Sequence, residues 1–281
     1  MGTLSVIGTG RLGSTLARAL DGAGLTVTRV ASRGSSASTL AQSLRACEAG
    51  TVEVAAAADL VFLTVPDDSI GPLAERLPWR AGQAVVHCSG ATEVVVLEPA
   101  ARLGAAIGGF HPLQIFSDPA RALGLLAGSS VAIEGPPALE AQLRDIAARL
   151  QMRSIVLRPG VRAAYHGGAS FAASFLLSML QEAAEVWASF GVSEVDTLQA
   201  LLPLAEGTLA AARAKGLAGA LSGPVSRGDA GVVRGHVEAL ERLGPAHAAF
   251  YRELTCRQLQ LARASGRLDD TQLQALAAAL R

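Results

Sequence analysis

The strongest restriction on the fold sits at the start of the chain, where Gly8-Thr9-Gly10-Arg11-Leu12-Gly13 joins an apolar run, Thr3–Ile7, to a helical pattern, Arg11–Leu20. Glycines at this spacing divide the work of a strand-to-helix turn. Gly8 permits the tight bend, Gly10 lets backbone approach a pyrophosphate, and Gly13 lets helix and strand pack closely. The amides that open the helix have no partner inside it and attract an anion. By itself the pattern is common. At the first strand–helix junction of an alternating chain it becomes a dinucleotide-binding signature, with Thr9, Arg11 and Leu12 filling the variable places. The alternative is a glycine-rich turn that holds nothing.

The alternation is present. Apolar runs at Thr26–Ala31, Leu60–Val65, Ala84–Cys88, Ala105–Phe110, Ser130–Glu134 and Ser154–Leu157 are interleaved with helical patterns at Thr39–Ala46, Ile70–Leu77 and Leu139–Leu150. Such repeats give βαβ units with right-handed crossovers and a mostly parallel sheet. Runs that are apolar throughout suit strands covered on both faces. After Arg158-Pro159-Gly160 the pattern turns helical: Ala163–Phe190, Val195–Lys215, Ala230–Leu243, Ala246–Ser265 and Thr271–Leu280, punctuated by glycine and proline. The expected class is α/β, with a Rossmann doubly wound, mostly parallel sheet over residues 1–157 and an all-helical domain over 158–281. A length of 281 residues agrees with two domains of about 150 each.

Hydrophobic residues make up 50% and charged residues 17% of the chain, which excludes a disordered protein and leaves apolar surface for a subunit interface. Lys+Arg and Asp+Glu each number 24, so the net charge is zero and no general field draws in nucleic acid or anionic lipid. Cys47, Cys88 and Cys256 lie far apart, which fits a reducing cytoplasm and neither a disulfide framework nor a metal site. No signal-peptide segment follows Met1. Ala163–Gln181 is uncharged and nearly long enough to span a bilayer, but Tyr165, His166, its glycines and its serines make it a helix buried in protein. Lys215 is the single lysine, so chemistry that needs an ammonium must use it.

An NAD site places Asp or Glu about 20 residues beyond the glycines, on the ribose 2′-hydroxyl. Here the second run ends Val30-Ala31-Ser32-Arg33, with Ser35 and Ser36 next. A guanidinium beside hydroxyls favours NADP(H) over NAD(H), in a charge-assisted contact of about 1.5–3 kcal/mol with the 2′-phosphate. Otherwise Arg33 is a solvated surface residue. Val65-Pro66-Asp67-Asp68 and His87-Cys88-Ser89-Gly90-Ala91 end two further runs on the ligand side of the sheet. Val65 and Pro66 form a bend there, and Ser89 and Gly90 bring donors towards a ribose or nicotinamide amide. Asp67 or Asp68 is expected to cap the next helix, and Cys88 to be a small core residue.

The glycine turn, Val65-Pro66-Asp67, His87-x-Ser89-Gly90-Ala91, Gly109-Phe110-His111-Pro112-Leu113-Gln114, Tyr165-His166 and Gly223-Pro224-x-x-Arg227-Gly228-Asp229 occur in one order. In this the chain resembles, almost end to end, the Rossmann-like proteins that carry a C-terminal DUF2520 domain. That group is similar to the 6-phosphogluconate, β-hydroxyacid, ketopantoate, pyrroline-5-carboxylate and prephenate dehydrogenases. The resemblance implies an N-terminal NADP-binding domain and a helical domain that helps form the active site and the dimer. Two departures bear on mechanism. The β-hydroxyacid relatives use a lysine and asparagines, where this chain has His166 and Ser174. Gly109-Phe110-His111-Pro112 resembles the Gly-x-His-Pro element of the prephenate relatives.

Reducing a carbonyl or imine needs a proton as well as a hydride, and histidine titrates nearest neutrality. His166 is the first choice as proton donor. On one continuous helix His166, Ser170, Ser174 and Ser178 would share a stripe, and those serines serve either packing or substrate orientation. His111, stiffened by Pro112, is the second choice and a substrate ligand. His87 is expected to shape the cofactor loop, and His236 and His247 to be ordinary helix residues. Arg227 is placed to clamp a substrate carboxylate, and Asp229 to orient it or cap the next helix. The expectation is a cytoplasmic NADP-dependent oxidoreductase for a small carboxylated carbonyl or imine, homodimeric through its helical domain, with no metal, nucleic acid or membrane partner. The rivals are an NADP(H)-binding sensor without catalysis, favoured by the missing lysine, and a deazaflavin-dependent reductase.

Overall fold

Strand β1 (Leu4–Ile7) sends Leu4 and Val6 to one apolar cluster and Ile7 to another, and its neighbours repeat the alternation. Leu60 and Phe62 of β4 (Leu60–Leu63) and Val86 of β5 (Ala84–His87) join the first cluster; Val61, Leu63 and Val85 join the second. Period-two side chains with both faces covered explain why these runs are apolar at every position. The computed structural model describes residues 2–281.

Among the described residues eight strands form one sheet in the order β3-β2-β1-β4-β5-β6-β7-β8, with β2 at Val27–Ala31, β3 at Cys47–Glu48, β6 at Ala106–Leu113, β7 at Ser130–Glu134 and β8 at Arg153–Val156. Every pairing is parallel except β6 with β7. The order reverses between β1 and β4, which opens a crevice beyond their carboxyl ends. The sheet is flanked by α1 (Arg11–Gly22), α2 (Ser36–Leu44), α3 (Thr51–Ala57), α4 (Asp67–Arg76), α5 (Glu98–Arg102), α6 (Pro119–Leu126) and α7 (Pro137–Arg149). A 3-10 turn at Val94–Leu97 leads into α5. The compact units divide between Ala169 and Ser170, so α8 (Arg162–Ser170) closes the first, apart from Ser170 itself.

The second unit holds α9 (Ser174–Ala188), α10 (Glu194–Ala220), α11 (Gly223–Arg227), α12 (Ala230–Leu243), α13 (Pro245–Ser265) and α14 (Asp270–Ala279). Val225, Val233, Val237, Ala262, Leu273 and Leu276 centre its core. Asp269 opens α14 with a capping box to Gln272.

Several sequence expectations need correction. The helix expected over Ala163–Phe190 is two helices, broken at 171–173, where Ala173 has φ −117° and ψ −92°. Gly167 and Gly168 weaken helix propensity just before the break, while the apolar pattern runs on across it. The stripe from His166 to Ser178 is therefore not continuous. His166 and Ser170 share α8; Ser174 and Ser178 belong to α9. Strand β6 runs to Leu113 rather than ending at Phe110, because antiparallel β7 pairs with Gly109 through Leu113. Helices α3, α5 and α6 and the edge strand β3 carry no sequence signal strong enough to be expected. Among the described residues no helix is long and apolar enough to cross a membrane.

Candidate active site

At Gly8 and Gly13 the glycine turn has the bend and the close packing that its spacing predicts. Gly8 has φ +104°, and a Cβ there would lie 2.6 Å from the Thr64 carbonyl oxygen, across the β1–β4 reversal. Its amide donates to the Ala31 carbonyl at 2.8 Å. A Cβ on Gly13 would overlap the Gly8 carbonyl oxygen, so helix and strand touch there. Gly10 is different: its Cβ would meet nothing within 4 Å. It sits at the N-cap of α1 with no side-chain cap and no acid in the first turn, which leaves the helix amides facing open space. Leu12 packs against the first core cluster, and Arg11 is exposed.

Gly8, Thr9, Gly10, Ser32, Arg33, Val65 and Pro66 line one cleft of about 550 Å³. Seven residues chosen from three separate segments thus meet at the crevice. Thr9 Oγ1 lies 2.6 Å from Ser36 Oγ, tying the glycine turn to the start of α2. Arg76, from the last turn of α4, adds a second guanidinium to the same cleft, and Asp68 lines it too.

A second group gathers beyond β5 and β6. Gly90 lets two imidazoles approach the backbone: a Cβ there would overlap the His166 ring and lie 2.9 Å from His111 Nε2. The His111 and His166 rings stand edge to face with centroids 5.8 Å apart. His111 Nδ1 is 3.0 Å from the Tyr165 hydroxyl. Burial first, then the neighbouring His166 and Arg162, hold the His111 imidazole down to about 4, so it is uncharged at neutral pH. Burial raises the Tyr165 phenol above its ordinary value. His87 is fully buried and pushed down to about 3 by desolvation and by Arg162; its Nδ1 accepts the Ser89 amide at 3.2 Å. It braces the backbone of the Ser89 turn.

The Ser89 hydroxyl donates to Asp67 Oδ2 at 2.7 Å and accepts the Thr92 amide at 3.0 Å. The expectation that Asp67 caps α4 is thereby overturned: Pro66 holds the N-cap position, and the Asp67 carboxylate braces Ser89 instead. Asp68 is likewise inside the first turn rather than a cap. Cys88 is buried, and desolvation pushes its thiol up, as a core residue requires.

Ser174, Arg227 and Asp229 lie in the second unit. Asp229 caps α12 through Val232 N at 3.3 Å. His236 Nδ1 lies 2.9 Å from the Tyr251 hydroxyl, and His247 Nδ1 lies 2.6 Å from Glu182 Oε1. Glu185 brings a third ligand atom near that pair, and its Oε1 accepts from Gln181 Nε2 at 2.9 Å.

The model of a Rossmann-like domain matches residues 2–112, and that of a domain of unknown function, DUF2520, matches 129–258. The chain is a Rossmann-like protein with a C-terminal DUF2520 domain. No curated protein matches it. Among solved structures, this Rossmann–DUF2520 chain is similar to protein TM1727 from Thermotoga maritima, at 23% identity and TM-score 0.80 over 94% of this chain and 100% of that one. It is also similar to the "putative NADP oxidoreductase BF3122" from Bacteroides fragilis, at 27% identity and TM-score 0.72 over 95% and 98%. An imine reductase from a Pseudomonas species shares the fold at 22% identity and TM-score 0.60 over 100% and 99%.

In this DUF2520 protein sequence reasoning missed Arg76, Tyr165, Arg162 with Glu134, and the Asp67–Ser89 contact. Tyr165 was readable as a neighbour of His166. The signal for Arg162 was weaker: Gly109 within a strand, which marks a close approach by something.

Proposed function

We propose that the chain is an NADP(H)-dependent oxidoreductase that reduces a small carboxylated carbonyl or imine, a ketopantoate-like 2-keto acid among the candidates. The observation that carries this reading is Gly10. Nothing in the fold requires a glycine there, since a side chain would point into empty space at the mouth of the cleft. A pyrophosphate brought against the amides of α1 does require it. Arg33 forms no hydrogen bond or ion pair among the described residues and lines the same cleft, which suits a 2′-phosphate. The names of BF3122 and of the imine reductase point the same way.

NADPH, when bound, supplies hydride to the substrate carbon. The protein's own residues handle position and protons. The α1 amides hold the pyrophosphate, and Ser32 and Arg33 the 2′-phosphate. Val65 and Pro66 wall the cleft, and Ser89, whose amide and hydroxyl are spent on His87 and Asp67, holds the backbone at Gly90 in place. His166 donates the proton to the developing anion, and Ser170, one turn on, orients the substrate. Uncharged His111, bonded to Tyr165, lies one ring away as a substrate ligand, and solvent returns the proton to His166. We further propose that the protein is a homodimer through α10.

Calorimetry with NADPH and NADH, followed by NADPH oxidation against a panel of keto acids and cyclic imines, tests the reading. Tight NADPH binding with turnover on a panel member is expected, and His166→Ala should abolish most turnover without changing the NADPH affinity. Binding without turnover on any compound would make the chain a nucleotide sensor; no binding would end the proposal.

A further inference from the structure

Three residues form one row across the sheet. His87 of β5 is in register with Gly109 of β6, which is in register with Glu134 of β7. Residues in register point to the same face, so Gly109 leaves a gap between an imidazole and a carboxylate. The Arg162 guanidinium fills that gap. A Cβ on Gly109 would collide with Arg162 Nη2. The arginine is fully buried; its Nε donates to Glu134 Oε2 at 2.7 Å and its Nη1 donates to the Ser89 carbonyl at 2.8 Å. Glu93 closes the arrangement, one oxygen accepting Gly160 N at 2.9 Å and the other Arg162 N at 3.0 Å.

Arg162 is the first residue of α8, and Tyr165 and His166 follow it three and four positions later, on the same side of the helix. Fixing Arg162 against this row of β5, β6 and β7 therefore fixes which way those two rings face. Its Nη1 also anchors the residue just before Gly90, whose backbone the His111 and His166 rings approach. We propose that Arg162, held by Glu134, is the positioning residue of this cluster: one buried guanidinium sets both the Ser89–Gly90 turn and the rotation of α8 that brings Tyr165 and His166 onto His111. The proposal rests on the reading of these rings as the proton-handling part of a reductase.

Stability alone does not account for this arrangement. A buried ion pair is commonly matched by apolar residues of similar volume, and Arg162 Nη2 is buried with no partner among the described residues, which costs free energy. The charge has a second effect, because Arg162 helps keep both His87 and His111 unprotonated.

Two variants separate positioning from simple support. Arg162→Met combined with Glu134→Gln removes the charges together and leaves no unpaired carboxylate. Arg162→Lys keeps the charge but lacks the fork that spans Glu134 and Ser89. Histidine and tyrosine rings are followed by NMR on the protein alone. In the double variant the His111 titration should rise above about 4, while burial and His166 still hold it below the ordinary 6.5. In Arg162→Lys the nuclear Overhauser contact between the His111 and Tyr165 rings should weaken, and turnover should fall on the order of a hundredfold with NADPH affinity unchanged. Either ring change failing to appear in a folded variant overturns the proposal. Neither ring readout needs cofactor or substrate, so this failure is distinct from loss of the reductase reading, which shows as absent NADPH binding.

Discussion

Gly10 and Gly13 carry the same letter in the sequence signature and opposite physical burdens. Gly13→Ala forces a methyl into the Gly8 carbonyl and should cost about 1–3 kcal/mol, seen as a lower thermal midpoint. Gly10→Ala meets no protein atom, so its stability should change by under about 1 kcal/mol. Its NADPH affinity should nonetheless fall at least about tenfold, or 1.4 kcal/mol, by calorimetry. A Gly10→Ala protein that binds NADPH as before would remove the main support for the cofactor site. His87 gives a pH dependence with a definite sign. The unfolded chain takes up its proton near 6.5, and the folded one only near 3. The folded state is therefore fully favoured above 6.5 and loses stability as pH falls from 6.5 towards 3, by up to about 1.4 kcal/mol per pH unit for this group. His111 adds to the slope down to about 4. Thermal melts between about pH 7.5 and 4.5 should show the decline, and His87→Asn should make it shallower, leaving the part due to His111.

Within elements, what was legible in the sequence followed from short-range chemistry. Strands β1, β4 and β5 announce themselves because both their faces are covered, and α12 because its punctuation is unambiguous. The break at 171–173 was not legible, since a period reads the apolar face and not the backbone that carries it. The cleft beside the glycine turn was readable because its glycines and Arg33 sit at fixed distances along the chain. The Arg162–Glu134 pair was not: its members lie 28 positions apart, and they meet only because Gly109 of β6, in register with Glu134 of β7, leaves room for the α8 guanidinium. Helix α10 offers a test of the same distinction. Its span includes Gly216 at φ 70°, ψ 173°, a conformation essentially confined to glycine, so the first helix stops where the sequence pattern stops at Lys215. Gly216→Ala should cost about 1–3 kcal/mol. Gly207, helical in the same element with open space around a Cβ, should respond in the opposite direction: Gly207→Ala should stabilise by about 0.4–1 kcal/mol. Chemical denaturation of the two variants side by side reads both effects.

For the molecule as a whole, α10 exposes an apolar line that the chain itself does not cover. Thr197 is its buried residue, whereas Val195 is 65% and Leu209 61% exposed, with Leu202 exposed between them. Val195, Leu202 and Leu209 recur every seven residues, with Leu198 and Ala205 at the intermediate positions. That is the spacing of a helix–helix seam, and a monomer rarely presents so continuous an apolar line to water. A second copy of α10 is the partner this line fits, because a closed two-fold contact uses the same patch from both sides. Sedimentation velocity should therefore find a dimer at micromolar concentration. Leu202→Glu with Leu209→Glu places like charges on both sides of such a seam and should yield a monomer. Each monomer should retain its core, since neither side chain is buried in it. A double variant that sediments as the wild type would place the interface elsewhere, and a wild type that is monomeric would leave the exposed seam without the partner proposed for it.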